Sequence, residues 1–268
     1  INDGKMNTST GNPGDASNTV FWRNSFVGLA SSLGDVRIGR MLMPLQDMNG
    51  GFDPFATGTV GSTHTGGITA TIRANNAVYY RSPSFGGLSI HAAIAAGEGQ
   101  LQGETANNVG SVAPRARLGD QERPIGFSLR YAGGPVNVGV AYDKNYADIK
   151  TIGAYASFDF GFMKLMGQFE KGDSSNNAGT AIGGQEFENM KNFSIGLRAP
   201  LGPVTILAGY LVAKSDVDNR DAKKFGLGAE YSLSKRTNLY TNVGKSSGDR
   251  LTDAQKKVAF DVGVTHRF

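Results

Sequence analysis

Val258-Ala-Phe-Asp-Val-Gly-Val-Thr-His-Arg-Phe268 is the stretch on which the fold turns. Val258, Phe260, Val262, Val264 and Phe268 share one parity, broken only by His266, while Ala259, Asp261, Gly263, Thr265 and Arg267 share the other. Side chains of a strand alternate between faces, so one face is apolar and the other small or charged. A soluble sandwich would bury the apolar face against a second sheet. Here the same alternation recurs in nearly every segment, and the chain ends on the phenylalanine itself. The pattern predicts an all-β chain: a transmembrane antiparallel up-and-down β-barrel with lipid outside and water within.

Composition agrees. The chain has 268 residues, 38 of them glycine, no cysteine, 39% hydrophobic residues and a formal charge of +4. No apolar run approaches the ~20 residues of a membrane-crossing helix. Glycine at this frequency without a collagen period, in a chain with ordered alternation, points to a turn-rich β protein. The missing cysteines fit an outer-membrane address, though weakly. A small charge spread over strands and loops, with no basic tract, gives no reason to expect nucleic acid as a partner. The opening Ile1-Asn-Asp-Gly4 carries no signal peptide and reads as a processed or truncated start.

Alternation and turn chemistry predict thirteen strands, at about 19–32, 35–42, 76–84, 88–96, 124–132, 136–144, 151–159, 162–171, 189–199, 203–213, 223–233, 236–245 and 258–268. Short connections such as Gly133-Gly-Pro135 and Leu201-Gly-Pro203 alternate with long ones at 43–75, 97–123, 145–150, 172–188, 214–222 and 246–257. Tight turns on one side and long polar loops on the other are the outer-membrane arrangement. An odd strand count does not close such a barrel, so an odd number of N-terminal strands, most economically three, is expected to be missing. Residues 1–18 then read as an external loop.

Phe26-Val-Gly-Leu29, Gly34-Asp-Val-Arg-Ile-Gly-Arg40, Arg73-Ala-Asn-Asn-Ala-Val-Tyr-Tyr80, Ser82-Pro-Ser-Phe-Gly-Gly87, Leu233-Ser-Lys-Arg-Thr-Asn-Leu-Tyr240 and Gly263-Val-Thr-His-Arg-Phe268 together resemble the trimeric general porins of Gram-negative outer membranes, closest to their small anion-selective branch. The resemblance runs in order over essentially the whole chain. It implies a sixteen-stranded family barrel whose fourth strand the first one here resembles, in accord with three missing strands. A strand that supplies another pore arginine in the family is not represented.

What the resemblance implies about function is a constriction rather than bond chemistry. The third external loop of such porins folds inward, and basic wall residues face it across a charged eyelet that selects ions by sign and solutes by size. The equivalent segment is Pro44–Asn75, rich in glycine and threonine and long for a connection without secondary structure, which itself suggests function. A single porin domain over residues 1–268, with its constriction loop at about 43–75, is the domain reading. Carried over by motif, Arg23, Arg40 and Arg73 form the basic wall; guanidinium is always charged and suits a permanent selectivity site. The bland reading is a solvated arginine paired with a nearby carboxylate. Strict alternation from Val36 and Ile38 points Arg40 outward, so a bulge or the loop departure must turn it in. Asp47 and Asp53 are the acidic candidates on the loop, although Asp before Pro also commonly starts a turn. Arg130, Lys224 and Glu230 face the lumen by parity, and Arg81 fits the periplasmic rim equally well.

Other chemistry finds little footing. Asp47-Met-Asn-Gly-Gly-Phe-Asp53 is faintly similar to a calcium loop but lacks its ligand order and terminal glutamate. His64, His91 and His266 are too scattered for zinc, so no metal and no cofactor are expected. His266 reads as a polar ring near the membrane rim. Inward glycines, as in Phe225-Gly-Leu-Gly-Ala-Glu-Tyr231, are expected to relieve crowding in a tilted wall. Tyr79, Tyr80, Phe85, Phe158, Phe160, Tyr231 and Tyr240 are read as interfacial girdles. The expectation is a passive diffusion porin and not an enzyme, in the outer membrane of a Gram-negative bacterium. Its partners would be outer-membrane lipid, two further copies in a homotrimer, and small anions and hydrophilic solutes. Two alternatives stand beside it. A barrel lipid hydrolase would need a Ser–His dyad on the lipid face, for which Ser89 and His91 share a face but lack an orienting partner. A soluble β-rich binding or adhesion protein would fold without detergent.

Overall fold

A computed structural model describes residues 24–56, 59–64, 73–96, 123–145, 149–174, 189–216, 221–249 and 251–267. Among these described residues, thirteen strands form one sheet in strict chain order, each antiparallel to its neighbours. They are β1 (Ser25–Ser31), β2 (Gly34–Leu42), β3 (Arg73–Arg81), β4 (Leu88–Ala95), β5 (Ile125–Gly133), β6 (Val136–Lys144) and β7 (Ile149–Asp159), followed by β8 (Lys164–Ser174), β9 (Met190–Leu201), β10 (Val204–Ser215), β11 (Ala222–Ser232), β12 (Thr237–Ser247) and β13 (Ala259–His266). One helix, α1 (Pro44–Gly51), follows β2. Tight turns join the strands of β1–β12 in pairs at one end; Gly134 (φ 54°) and Gly202 (φ 62°) adopt the left-handed backbone that such turns require.

Burial is inverted relative to a soluble protein. Phe193 is 51%, Phe225 47% and Phe260 80% exposed, whereas Gln168, Asn192 and Ser194 are each 2% exposed. The apolar face is therefore the outer one, and a continuous exposed apolar surface of this extent is a lipid-facing wall. The polar face is concave and holds the segment after β2, which touches strands as far along the chain as β13. The apolar core is small and lies between that segment and the wall. One cluster joins Met41 and Met43 to Ala74, Ala77, Tyr79, Ala93 and Ala95; a second joins Leu45, Met48 and Phe52 to Ala141 and Tyr155.

Strand order and number follow the sequence reading, with differences at particular places. β3 runs from Arg73 to Arg81 rather than 76–84. It starts earlier because a bulge lets Asn75 and Asn76 stay in the strand, Asn76 taking φ 49°. It stops before Ser82-Pro83, because proline cannot donate to the ladder. The loop after β2 is not structureless but opens with α1. Tyr79 and Tyr240 are not girdle residues: their parity is inward, and Tyr79 is 4% exposed.

Candidate functional site

The segment after β2 turns inward as a helix. Pro44 stands at the first helical position, where its fixed φ is favourable and its missing N–H costs nothing. Leu45, Met48 and Phe52 point to the wall, and the Phe52 ring lies 5.5 Å from that of Tyr155. Burying each such side chain stabilises by about 1.5–3 kcal/mol. Two wall carboxylates hold the helix ends. Asp143 of β6 accepts from Leu45 N at 3.4 Å, and Glu170 of β8 accepts from the Asn49 side-chain amide and from Tyr155 OH, the latter at 2.7 Å.

Beyond the helix the chain crosses the remaining strands on a glycine row. Gly196 of β9, Gly209 of β10, Gly226 of β11 and Gly244 of β12 are directly opposite one another in register. A Cβ on Gly196 would come within 2.5 Å of Pro54 Cγ, and one on Gly209 within 2.5 Å of Thr63 Oγ1. On Gly226 it would strike the carbonyl of Gly61, and on Gly244 that of Val60. These glycines form a trough filled by the loop, which is a different reason for their size than crowding in a tilted wall. The far end is tied down where Val60 N donates to Asp261 Oδ2 at 2.8 Å. On β9, Arg198 Nη1 donates to Pro54 O at 2.6 Å.

Asp47 and Asp53, paired in the sequence reading, occupy unlike places. Asp53 is buried and organises the loop: Oδ1 accepts from Phe55 N and Thr63 N, and Oδ2 from Ser62 Oγ at 2.6 Å. Its geometry is that of a turn-capping carboxylate. Asp47 is on the open side of α1, its Oδ2 3.6 Å from Nδ1 of His91 on β4. The His91 contact, followed by the charges of Arg81 and Arg130, holds the Asp47 carboxyl below the usual carboxylate range despite partial desolvation. The Nδ1 of His91 also lies 3.1 Å from Tyr79 OH.

The wall beside Asp47 is basic. Arg37 of β2, Arg81 of β3 and Arg130 of β5 share the inward parity; Arg37 pairs with Asp35, and Arg130 Nε donates to Asn137 Oδ1 at 2.8 Å. Arg40 is buried beside the register shift between Gly39 and Met41, and its Nη1 donates to Asn75 Oδ1 at 2.5 Å. The irregularity that alternation demanded at this position is present. Arg73 Nε donates to Asn24 Oδ1 at 3.1 Å. Arg23 lies outside the described residues. Lys224 and Glu230 have inward parity on β11, Glu230 meeting Arg198 at 2.5 Å.

Arg37, Arg81, His91 and Arg198 are the members that sequence reasoning did not place here. Parity carried a signal for two of them: Arg37 alternates with the outward Val36 and Ile38, and Arg198 shares the parity of the inward Ser194 and Gly196. For His91 and Arg81 the signal was register, which sets them opposite each other across β3 and β4. The dyad weighed from Ser89 and His91 has inward parity rather than the lipid face, and His91 meets Tyr79 and Asp47.

Comparison with known proteins gives a consistent answer. A family model described as Gram-negative porin matches residues 3–251. An outer membrane porin protein of Bordetella pertussis is 28% identical over 285 residues, spanning 93% of this chain and 72% of the relative. Outer membrane porin protein 32 of Delftia acidovorans is 31% identical over 249 residues, spanning 87% and 66% respectively. The solved structure of an anion-selective porin from Comamonas acidovorans superposes with a TM-score of 0.72 at 26% identity, covering 95% of this chain and 80% of that one.

Proposed function

Because the chain belongs to the Gram-negative porin family, we propose that its channel prefers anions and that the basic wall of β2–β5 and the inward loop form the constriction. It is an outer-membrane protein providing a water-filled path for passive diffusion of small hydrophilic solutes and ions. The observation that carries the preference is the imbalance around Asp47. One loop carboxylate, already in contact with His91, looks toward Arg81 and Arg130, with Arg37, Arg40 and Arg73 on the neighbouring strands β2 and β3. Guanidinium groups stay charged at any working pH, and within a Debye length of about 8 Å at physiological salt their fields overlap. A solute passing between helix and wall meets excess positive charge, which admits anions and retards cations.

Arg23, Arg40, Arg73, Asp47 and Asp53 remain our constriction set, with Asp53 acting through the loop's shape and Arg130 joining the ring. Lys224 and Glu230 line the lumen away from it. Residues 1–268 read as one porin domain, and the loop over about 43–75 as its constriction. Lipid surrounds the wall and three copies associate, as in the general porins the chain resembles; small anions and hydrophilic solutes are its cargo. The relative from Comamonas acidovorans, an anion-selective porin, supports the same reading. The test is the reversal potential of the reconstituted protein in a potassium chloride gradient. It should favour chloride, and R81E with R130E should move it toward potassium. Equal permeability in dilute salt would remove the arginine-field proposal while leaving the barrel.

A further inference from the structure

The outer face of the wall carries a charge pattern of its own. On the side of the long connections, the outward parity of β8–β12 carries Lys171, Lys191, Lys214, Lys223 and Lys245 near the strand ends, with Asp173 following Lys171 on β8. Each stands two residues beyond an apolar outward residue: Phe169, Phe193, Val212, Phe225 and Val243 respectively. At the tight-turn side the same parity ends in uncharged residues such as Leu165, Leu201 and Tyr231. The wall is therefore electrically asymmetric between its two rims.

Register sharpens the pattern. Lys171 is directly opposite Lys191, and Lys191 directly opposite Lys214. Like charges facing each other across antiparallel strands repel, so three in a row are unfavourable unless an anion lies among them. Among the described residues no carboxylate is paired in register with Lys171, Lys191 or Lys214, although Asp173 shares the outward parity of Lys171. Asp216, Asp221 and Asp249 belong to the connections, Asp221 accepting from Ser215 N at 3.2 Å, and register sets Asp173 opposite Lys150.

We propose that this lysine row is a docking surface for phosphate-bearing lipid headgroups in the leaflet on the long-connection side. The inference rests on the outer face meeting lipid, not on the ion preference of the lumen. A lysine lays its aliphatic stem along the apolar wall and raises its ammonium to the interface, where a cation costs little. Neighbouring strands are about 4.8 Å apart, so the three opposed lysines span roughly 10 Å, a width that suits a headgroup carrying two phosphates. Phosphate oxygens between the ammonium groups replace repulsion by attraction and account for the outward lysines gathered at this rim.

The test uses the full chain folded in uncharged detergent and the variant K171Q/K191Q/K214Q. The probes are diphosphoryl lipid A and its dephosphorylated form, with retained lipid counted by native mass spectrometry. Wild type should retain the phosphorylated lipid, and the variant should hold it about tenfold or more weakly. Without added lipid the variant should resist heat at least as well as wild type, because the repulsion is gone. Equal retention by both proteins, or equal retention of the two lipids by wild type, would overturn the proposal. So would loss of subunit association in the variant, which would make the row a protein contact. Conductance and ion preference should be unchanged in the variant, so failure here is distinct from failure of the channel reading.

Discussion

Asp47 on the inward helix and His91 on β4 stand 3.6 Å apart, joining the loop's exposed carboxylate to a wall that also carries Arg81 and Arg130. The contact makes Asp47 both a tether of α1 and the negative partner of the basic wall. Replacing it by asparagine keeps the shape and removes the charge. D47N should raise chloride preference in reversal-potential measurements without changing the heat-modifiable mobility of the folded barrel; an unchanged reversal potential would mean that ions do not pass this group.

Acidification should act in the same direction. The folded carboxyl of Asp47 is depressed, so its negative charge and the stability it brings are fully present above the ordinary carboxylate range and are lost as pH falls through the depressed value. Chloride preference should therefore hold steady through mildly acidic pH and rise only below the usual carboxylate titration. A titration of reversal potential in wild type against D47N checks this. The component that disappears in D47N should be the one that titrates low.

The glycine trough predicts a sharp contrast. G226V places a branched side chain where the carbonyl of Gly61 now lies, and overpacking of this kind costs about 1–3 kcal/mol when it cannot be relieved. The loop should lift from β11, giving altered single-channel conductance and new protease sites between 54 and 64 while the barrel stays folded. Gly167 on the outer face meets only Ser194 O at 3.9 Å, so G167A should leave conductance as it is.

Phe52 anchors the apolar underside of α1 against Tyr155. F52A should cost about 3–5 kcal/mol of local docking stability. Because strand pairing is independent of this contact, the loss should appear as faster hydrogen exchange in 44–56 and not as barrel unfolding.

Arg198 bridges Glu230 on β11 and the carbonyl of Pro54 on the loop. A double-mutant cycle with R198A and E230A should show coupling of about 1 kcal/mol, since the pair is partly exposed. R198A alone should increase open-channel noise, because it also frees Pro54; E230A should do so less.

Much of the fold could be read along the chain. Thirteen strands, their order and their antiparallel sense follow from alternation and turn residues, as in β13, where Phe260, Val262 and Val264 face out and Asp261 faces in. The site was legible in part. Arg130 and Glu230 were placed on the inward face by parity alone, and the doubt over Arg40 anticipated the irregularity beside it. The functions of Asp47 and Asp53 could not be separated, because both are loop aspartates within three residues of a proline and a glycine and only their surroundings differ.

What the sequence by itself determined is the two-sidedness of each strand. Period-two alternation is a local property, and the choice between oil and water is made residue by residue as the strand forms. What only the tertiary structure decided is who meets whom between the inward loop and the wall: Asp47 with His91, Arg198 with Pro54, and Gly226 with Gly61. These partners are tens to more than a hundred residues apart. Their meeting depends on the register accumulated over many strands and on the path of one loop, and no local pattern encodes either.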